Sequence, residues 1–213
     1  MASSCYGLQV PRTADPAVRR ALVERAAHLL ARREPVTLRV LVQGTGASTM
    51  AVYTHFGGMP GLWRAVRQEG HTRLAAALDA VPRTGDAVRD LAALGAAYVG
   101  AALAAPDLYA AMFDPRADLE DPAAAERGYR RLVSAVEAVR ATGRLPAAAA
   151  PEEVAARLWS CGHGVASLGA AGLLPRAAVA AQGPDLALGV LLAAGAAADD
   201  AGPSVRAGWV LPG

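Results

Sequence analysis

The stretch TLRVLVQGTGASTMAVYTHFGG, residues 37–58, decides how this chain is read. A short helix opens at Thr37 and carries Leu38, Leu41 and Val42 before Gly44-Thr45-Gly46 breaks it. Ser48 is a good N-cap for a third short helix ending near His55, and Gly57-Gly58 forms the next break. Two short helices joined by a glycine-containing turn, after a longer supporting helix, make a helix-turn-helix pattern. In that motif the second short helix enters the major groove while the first braces it. Here the entering helix is Ser48–His55, with Thr49, Met50 and Ala51 on its open face and Val52 and Phe56 turned inward.

Upstream, a supporting helix starts at Pro16 behind Asp15 as N-cap, repeats Val18, Leu22, Ala26, Leu29 and Leu30 at helical spacing, and ends by Pro35. Downstream, a long helix from Pro60 carries Leu62, Trp63, Val66, Leu74 and Leu78, and residues 82–85 read as a linker. Further helices are expected near 86–104, 106–113, 122–142, 151–172 and 184–200, nine in all, each punctuated by Pro or Gly, Pro115 and Pro184 included. No strand-like alternation and no repeat appears, so the fold class is all-α. The expected division is 1–58 for a helix-turn-helix domain, 59–202 for a larger helical domain, and 203–213 for a loose tail. Within that tail Trp209, Val210 and Leu211 are able to dock onto the body.

Composition narrows the function. All 21 basic residues are Arg; ten of them fall in residues 1–80 against five acids, while the remainder holds eleven Arg and fourteen acids. A basic front half on a mildly acidic back half suits a nucleic-acid module joined to something else, although solvated surface charge gives the same balance. Cys5, where a frayed terminus is expected, and Cys161 lie far apart in sequence and resemble neither a disulfide framework nor a zinc spacing. Met1–Val10 lacks the pattern of a secretory signal, and the longest apolar run, 186–198, is short for a membrane span. A cytoplasmic protein without membrane contact is the expectation. His28, His55, His71 and His163 fall on separate helices with no phosphate loop, Ser-His-acid set or metal cluster. No enzyme, metal or cofactor is expected.

Several of these residues carry a resemblance. Residues 22–26 (LVERA), 37–41 (TLRVL), 46–48 (GAS), 52–56 (VYTHF) and Leu62 together resemble the DNA-binding domain of TetR-type regulators over residues 18–66. The resemblance implies that Thr37 caps the second helix and meets a phosphate. It implies backbone contacts for Ser48, Tyr53 and His55, with Thr54 in the same segment, and base contacts for Thr49, Met50 and Ala51. Phosphate contacts fix register and only base edges carry sequence information; Arg39, Arg19 and Arg20 add charge near the backbone. Each also has a bland reading: a packed His55, a half-core Tyr53, solvated arginines. Two departures stand out. Met59 sits where the family usually has a lysine, and the turn carries Thr45 and Ala47 where Ala and Val are usual.

The back half resembles the Trp-His-Gly class of TetR ligand domains, through Tyr98, Pro106, Tyr109, Met112 and Phe113 and through Trp159 followed by His163-Gly164. Trp159 and His163, four apart, share a helix face. With Tyr98, Tyr109, Met112 and Phe113 they are bulky groups among Ala and Leu, which suits a cavity with a few orienting polar groups, or ordinary core filling. Ala155, Gly162, Ala166 and Gly169, and then Gly189, Ala193 and Ala197, form small-residue faces that let helices approach closely. The resemblance implies that the last two helices of each subunit form a four-helix dimer interface. The expected partners are double-stranded operator DNA, a small-molecule effector and a second copy of the chain. The expected function is a ligand-responsive repressor; the alternative is a helical small-molecule-binding protein without specific DNA binding.

Overall fold

The computed structural model describes residues 15–114 and 118–212. Expectations that fall on Met1–Val10, Cys5 and Pro115 lie outside the described residues. The described chain is all-helical: α1 (Pro16–Ala31), α2 (Leu38–Val42), α3 (Thr49–Phe56), α4 (Met59–Asp79), α5 (Ala87–Ala104), α6 (Pro106–Met112), α7 (Ala123–Ala141), α8 (Pro151–Ala170), α9 (Arg176–Ala193) and α10 (Ala198–Gly208).

The first three helices form where their caps place them. Asp15 accepts a hydrogen bond from the Ala17 N–H at 2.8 Å, and Pro16 supplies the fixed φ of a first turn. Thr37 Oγ1 accepts from the Val40 N–H at 3.3 Å, so α2 begins there. Between α2 and α3, Gly44 and Gly46 adopt φ of 77° and 70°, a region costly for residues with a Cβ. Thr45 holds this turn from both sides, its hydroxyl donating to the Val42 carbonyl at 2.9 Å and accepting from the Ala47 N–H at 3.2 Å. The Thr45 departure from the family pattern thus builds the turn.

Leu22, Leu29, Leu41, Val52, Leu62 and Val66 are completely buried in one core that joins α1–α4. Leu108 and Ala111 of α6 belong to that same core. Tyr109 and Met112, on the other side of α6, belong to a second cluster with Leu74, Leu94, Val99, Val165 and Val179. A seven-residue helix therefore contributes side chains to both halves of the molecule. Three polar contacts run alongside: His28 Nδ1 with Asp107 at 2.9 Å, and Arg73 with Glu24 at 2.9 Å and Glu69 at 2.8 Å.

Three expectations need correction. The described residues form ten helices, because the stretch expected as one helix over 184–200 is divided by Gly195, at φ 99°. Pro184 does not start a helix but sits inside α9, and Pro203 sits inside α10. Of the expected tail, the described residues 203–212 are not loose either, since α10 runs to Gly208 and Trp209 and Leu211 pack against the body while Val210 stays exposed. The cause is a packing slot. The Trp209 ring lies against the Cα positions of Gly95 on α5 and Gly183 on α9, where any Cβ would collide with it. What looks like a Gly183-Pro184 breaker is thus a seat for an indole.

The start of α10 is held by Arg144, which bonds Asp200 at 2.6 Å, Ser204 at 2.9 Å and Asp86, the N-cap of α5, at 2.5 Å. Burial alone raises the Asp86 carboxyl. Hydrogen bonds from Ser204 and the Arg89 N–H, with the Arg144 charge beside it, outweigh burial and hold it below the usual carboxylate range. Helix α5 is long and apolar enough, by length and composition alone, to cross a membrane. It is instead the central helix of the larger half, in contact with α4 and with each of α6–α10.

Candidate functional site

Two candidate sites are built from different helices. At one, α3 is anchored by Val52, fully buried, while Thr49, Met50, Tyr53 and Thr54 face outward. Met50 is 66% exposed and Tyr53 51%, so the tyrosine stands out from the surface rather than filling the core. Ser48 occupies the N-cap position but its side chain makes no capping bond, and it is exposed. Thr37 and Arg39 are exposed on the neighbouring α2; Ala51 and His55 are half-buried. Thr54 turns its hydroxyl back to the Met50 carbonyl at 3.1 Å. Arg19 stacks over the Phe56 ring at 5.4 Å, a cation–π contact, which places its charge beside α3. Met59, in the position where the family usually has lysine, is half-buried and packs on the α1–α4 core. An apolar contact has taken the place of an outward charge.

At the other site, α4, α5, α7, α8 and α9 enclose a cavity of about 420 Å³. Tyr98, Met112, Phe113 and Trp159 are in its wall, as expected from the sequence. Tyr109 and His163 are not. They stand behind Tyr98 in a hydrogen-bonded group: the Tyr98 and Tyr109 hydroxyls are 2.9 Å apart, and Tyr109 lies 2.8 Å from His163 Nδ1. The far ring nitrogen, Nε2, is 3.4 Å from Ser167 Oγ. Phe113 packs edge-on against the His163 ring at 4.5 Å, and Trp159 lies 5.7 Å from it. Burial raises the Tyr98 hydroxyl, pushes that of Tyr109 well above the ordinary phenol range, and holds His163 below the usual imidazole range. The group is therefore neutral at pH 7.

Sequence reasoning missed most of the wall. Leu74, Leu78 and His71 of α4, Tyr129 and Arg131 of α7 and Trp209 also line the cavity. Burial, and then the nearby Arg67 charge, lowers His71 so that it too is neutral. Tyr129, an aromatic on an otherwise charged and aliphatic helix, was the available signal; Trp209 had been assigned to the tail.

The small-residue face chosen on α8 also needs correction. Ala155 and Ala166 have no exposure, Gly169 packs against Leu103 and Val179, and Gly162 lines the cavity. All four point into their own subunit. The free face of α8 is a different one, bearing Ser160, Gly164 and Leu168. On α9 the chosen residues Gly189 and Ala193 are exposed, next to Leu192.

Residues 91–191 match the family model described as the C-terminal domain of tetracyclin repressor-like proteins. No curated protein matches the sequence. Among solved structures, a protein of unknown function from Rhodococcus sp. RHA1 is 28% identical with a TM-score of 0.65, covering 84% of this chain and 98% of its own. SmeT, solved as a triclosan complex, is 20% identical with a TM-score of 0.63, over 83% of this chain and 91% of its own. TylP, a TetR regulator from Streptomyces fradiae, is 18% identical with a TM-score of 0.61, over 86% and 89%. Residues 91–191 thus match a tetracyclin repressor-like C-terminal domain, and the ten helices of the described residues share their fold with these solved structures.

Proposed function

We propose that the chain is a repressor that binds palindromic operator DNA as a homodimer and is released by a small, largely apolar molecule. The observation that carries this reading is α3: a helix fixed by Val52 that presents Thr49, Met50, Tyr53 and Thr54 to solvent. Thr49 offers a hydrogen bond and a methyl group and Met50 an apolar contact to base edges, while Ser48, Tyr53 and His55 reach phosphates.

The dimer is supported by two glycines. A Cβ at Gly164 or Gly189 would meet nothing within the subunit, although glycine inside a helix costs roughly 1 kcal/mol relative to alanine. Close approach of α8 and α9 to the same helices of a second copy gives both glycines a reason. Release is supported by the cavity, by the solved complex of the similarly folded SmeT with triclosan, and by α6. A molecule that displaces Met112 or Phe113 moves the helix whose Leu108 and Ala111 sit in the reader's core. Helix α4 is the second link, since Gly70 lies directly against Met112. A differential affinity of roughly 1–3 kcal/mol between the two reader spacings is enough for a response.

The test is binding to duplex DNA from beside the chain's own gene at several salt concentrations. Binding should weaken steeply with salt, by counterion release, and Tyr53→Ala with His55→Ala should weaken it at least tenfold. Unchanged binding by that double variant overturns the docking.

A further inference from the structure

We infer that the cavity selects its ligand by a hydrogen-bond acceptor, so that the effector is a neutral, mostly apolar molecule whose carbonyl oxygen takes the indole N–H of Trp209. This rests on the ligand-binding reading given above and adds the chemistry of the ligand to it.

Three buried side-chain nitrogens among the described residues have no hydrogen-bond partner: Arg25 Nε, Arg131 Nε and Trp209 Nε1. Arg25 is on α1, whereas Arg131 and Trp209 both stand in the cavity wall. All three are donors, and no side-chain oxygen joins them. A buried donor without an acceptor is costly, and each one in a folded protein calls for a reason. The wall's other strong hydrogen-bonding side chains are paired within the protein. Trp159 gives its indole N–H to the Tyr98 oxygen, and His71 donates to the Met112 carbonyl. The Tyr98 and Tyr109 hydroxyls lie 2.9 Å apart, and Tyr129 donates to the Glu152 carbonyl at 3.2 Å. The two indoles of the wall thus differ: Trp159 has its acceptor, and Trp209 has none.

Trp209 carries the inference further than Arg131 does. A guanidinium has several N–H groups, and that of Arg131 is partly exposed and paired with Asp79, so one idle nitrogen leaves it served. An indole has a single donor. The Trp209 ring is seated on glycine, with Cζ2 and Cε2 against Gly183 of α9 and the Cζ3 edge against Gly95 of α5. Nε1 is bonded to Cε2 and so lies on the Gly183 side. One turn further along the same α9 face come Leu186 and Ala187, which also line the cavity. The nitrogen is shielded, so a ligand oxygen reaches it by displacing wall side chains, and Leu186, 41% exposed, is only partly covered by its neighbours. A carbonyl suits this place better than a carboxylate. The wall's one permanent charge, Arg131, already has Asp79, and a second anion would enter apolar surroundings without a counter-charge.

The experiment is calorimetric titration of the full chain with 2-acetylnaphthalene and with 2-isopropylnaphthalene, which keeps the shape and removes the oxygen. Trp209→Phe leaves an aromatic ring for the slot and removes the N–H. It should weaken the ketone about 3- to 10-fold, the range of one neutral hydrogen bond, and change the hydrocarbon by less than about twofold. The original chain gives a second reading in the infrared, where the carbonyl stretch of the bound ketone should lie below its value in hexane. An unshifted carbonyl, a ketone indifferent to Trp209→Phe, or equal loss of both probes overturns the inference while leaving the cavity a ligand site. So does tighter binding of 2-naphthoate than of the ketone, since the ligand is then an anion. Gly162→Leu places a side chain in the cavity, where a Cβ meets no protein atom, and should abolish binding of both probes. If neither probe binds the original chain, or both bind Gly162→Leu undiminished, the cavity reading itself fails and this inference with it.

Discussion

Around Leu41, Val52 and Leu62 the N-terminal helices pack leucine and valine to zero exposure, whereas the larger half leaves about 420 Å³ unfilled between helices of similar composition. Glycine makes the difference. Gly95, Gly128, Gly162 and Gly183 line the hollow; two of them seat the Trp209 ring, and at Gly162 the missing side chain is simply open space. A closed core transmits displacement because it cannot absorb it, while a hollow one has room to accept a ligand. Helix α6 places residues in both clusters, as does α4, so these two helices join the closed core to the hollow one.

Substitutions in the two regions sharpen that contrast. The largest effect is expected in the closed core, where Leu41→Ala should lower the unfolding free energy by about 3 kcal/mol in a urea titration. Less than 1 kcal/mol would mean the reader is looser than its packing implies. Next comes the clamp on α10. Arg144→Ala strips charge-assisted bonds from Asp86, Asp200 and Ser204 and should cost about 2 kcal/mol, freeing Trp209 from its slot, with tryptophan emission shifting to the red.

The same clamp sets a pH dependence. Because the folded carboxyl of Asp86 lies below its unfolded value, its stabilisation is complete above the ordinary carboxylate range and is lost as pH falls through the lowered folded value. Removing Arg144 should flatten this acid limb of the stability curve. The smallest effect is expected at the hollow: Gly162→Ala should raise stability by roughly 0.5–1 kcal/mol while weakening ligand binding. A loss of stability there would show the cavity wall to be tighter than the open space beside Gly162 indicates.

The helix-turn-helix segment was legible because its signals are local. Asp15, Thr37, Gly44 and Gly46 act within four residues of themselves, and a helix as short as α3 has few ways to turn once Val52 is inward. The cavity was legible only in part: Tyr98, Met112, Phe113 and Trp159 stood out among alanines, and the rest of the wall did not. Rotation of the long helices was not. On α8 two small-residue faces exist, Ala155–Gly162–Ala166–Gly169 and Ser160–Gly164 with Leu168, and sequence spacing does not say which meets α5 and α9. Gly183 and Pro184 read as a break because the partner that explains Gly183, Trp209, lies 26 residues downstream.

Selection of binding sites from a pool of random duplexes tests the central claim most directly. The account predicts enrichment of an inverted repeat whose half-site centres lie about one helical turn, roughly 34–36 Å, or a small multiple of it apart, lost when Thr49 and Tyr53 are both replaced by alanine. A pool that stays random, or an enriched sequence without two-fold symmetry, would contradict it.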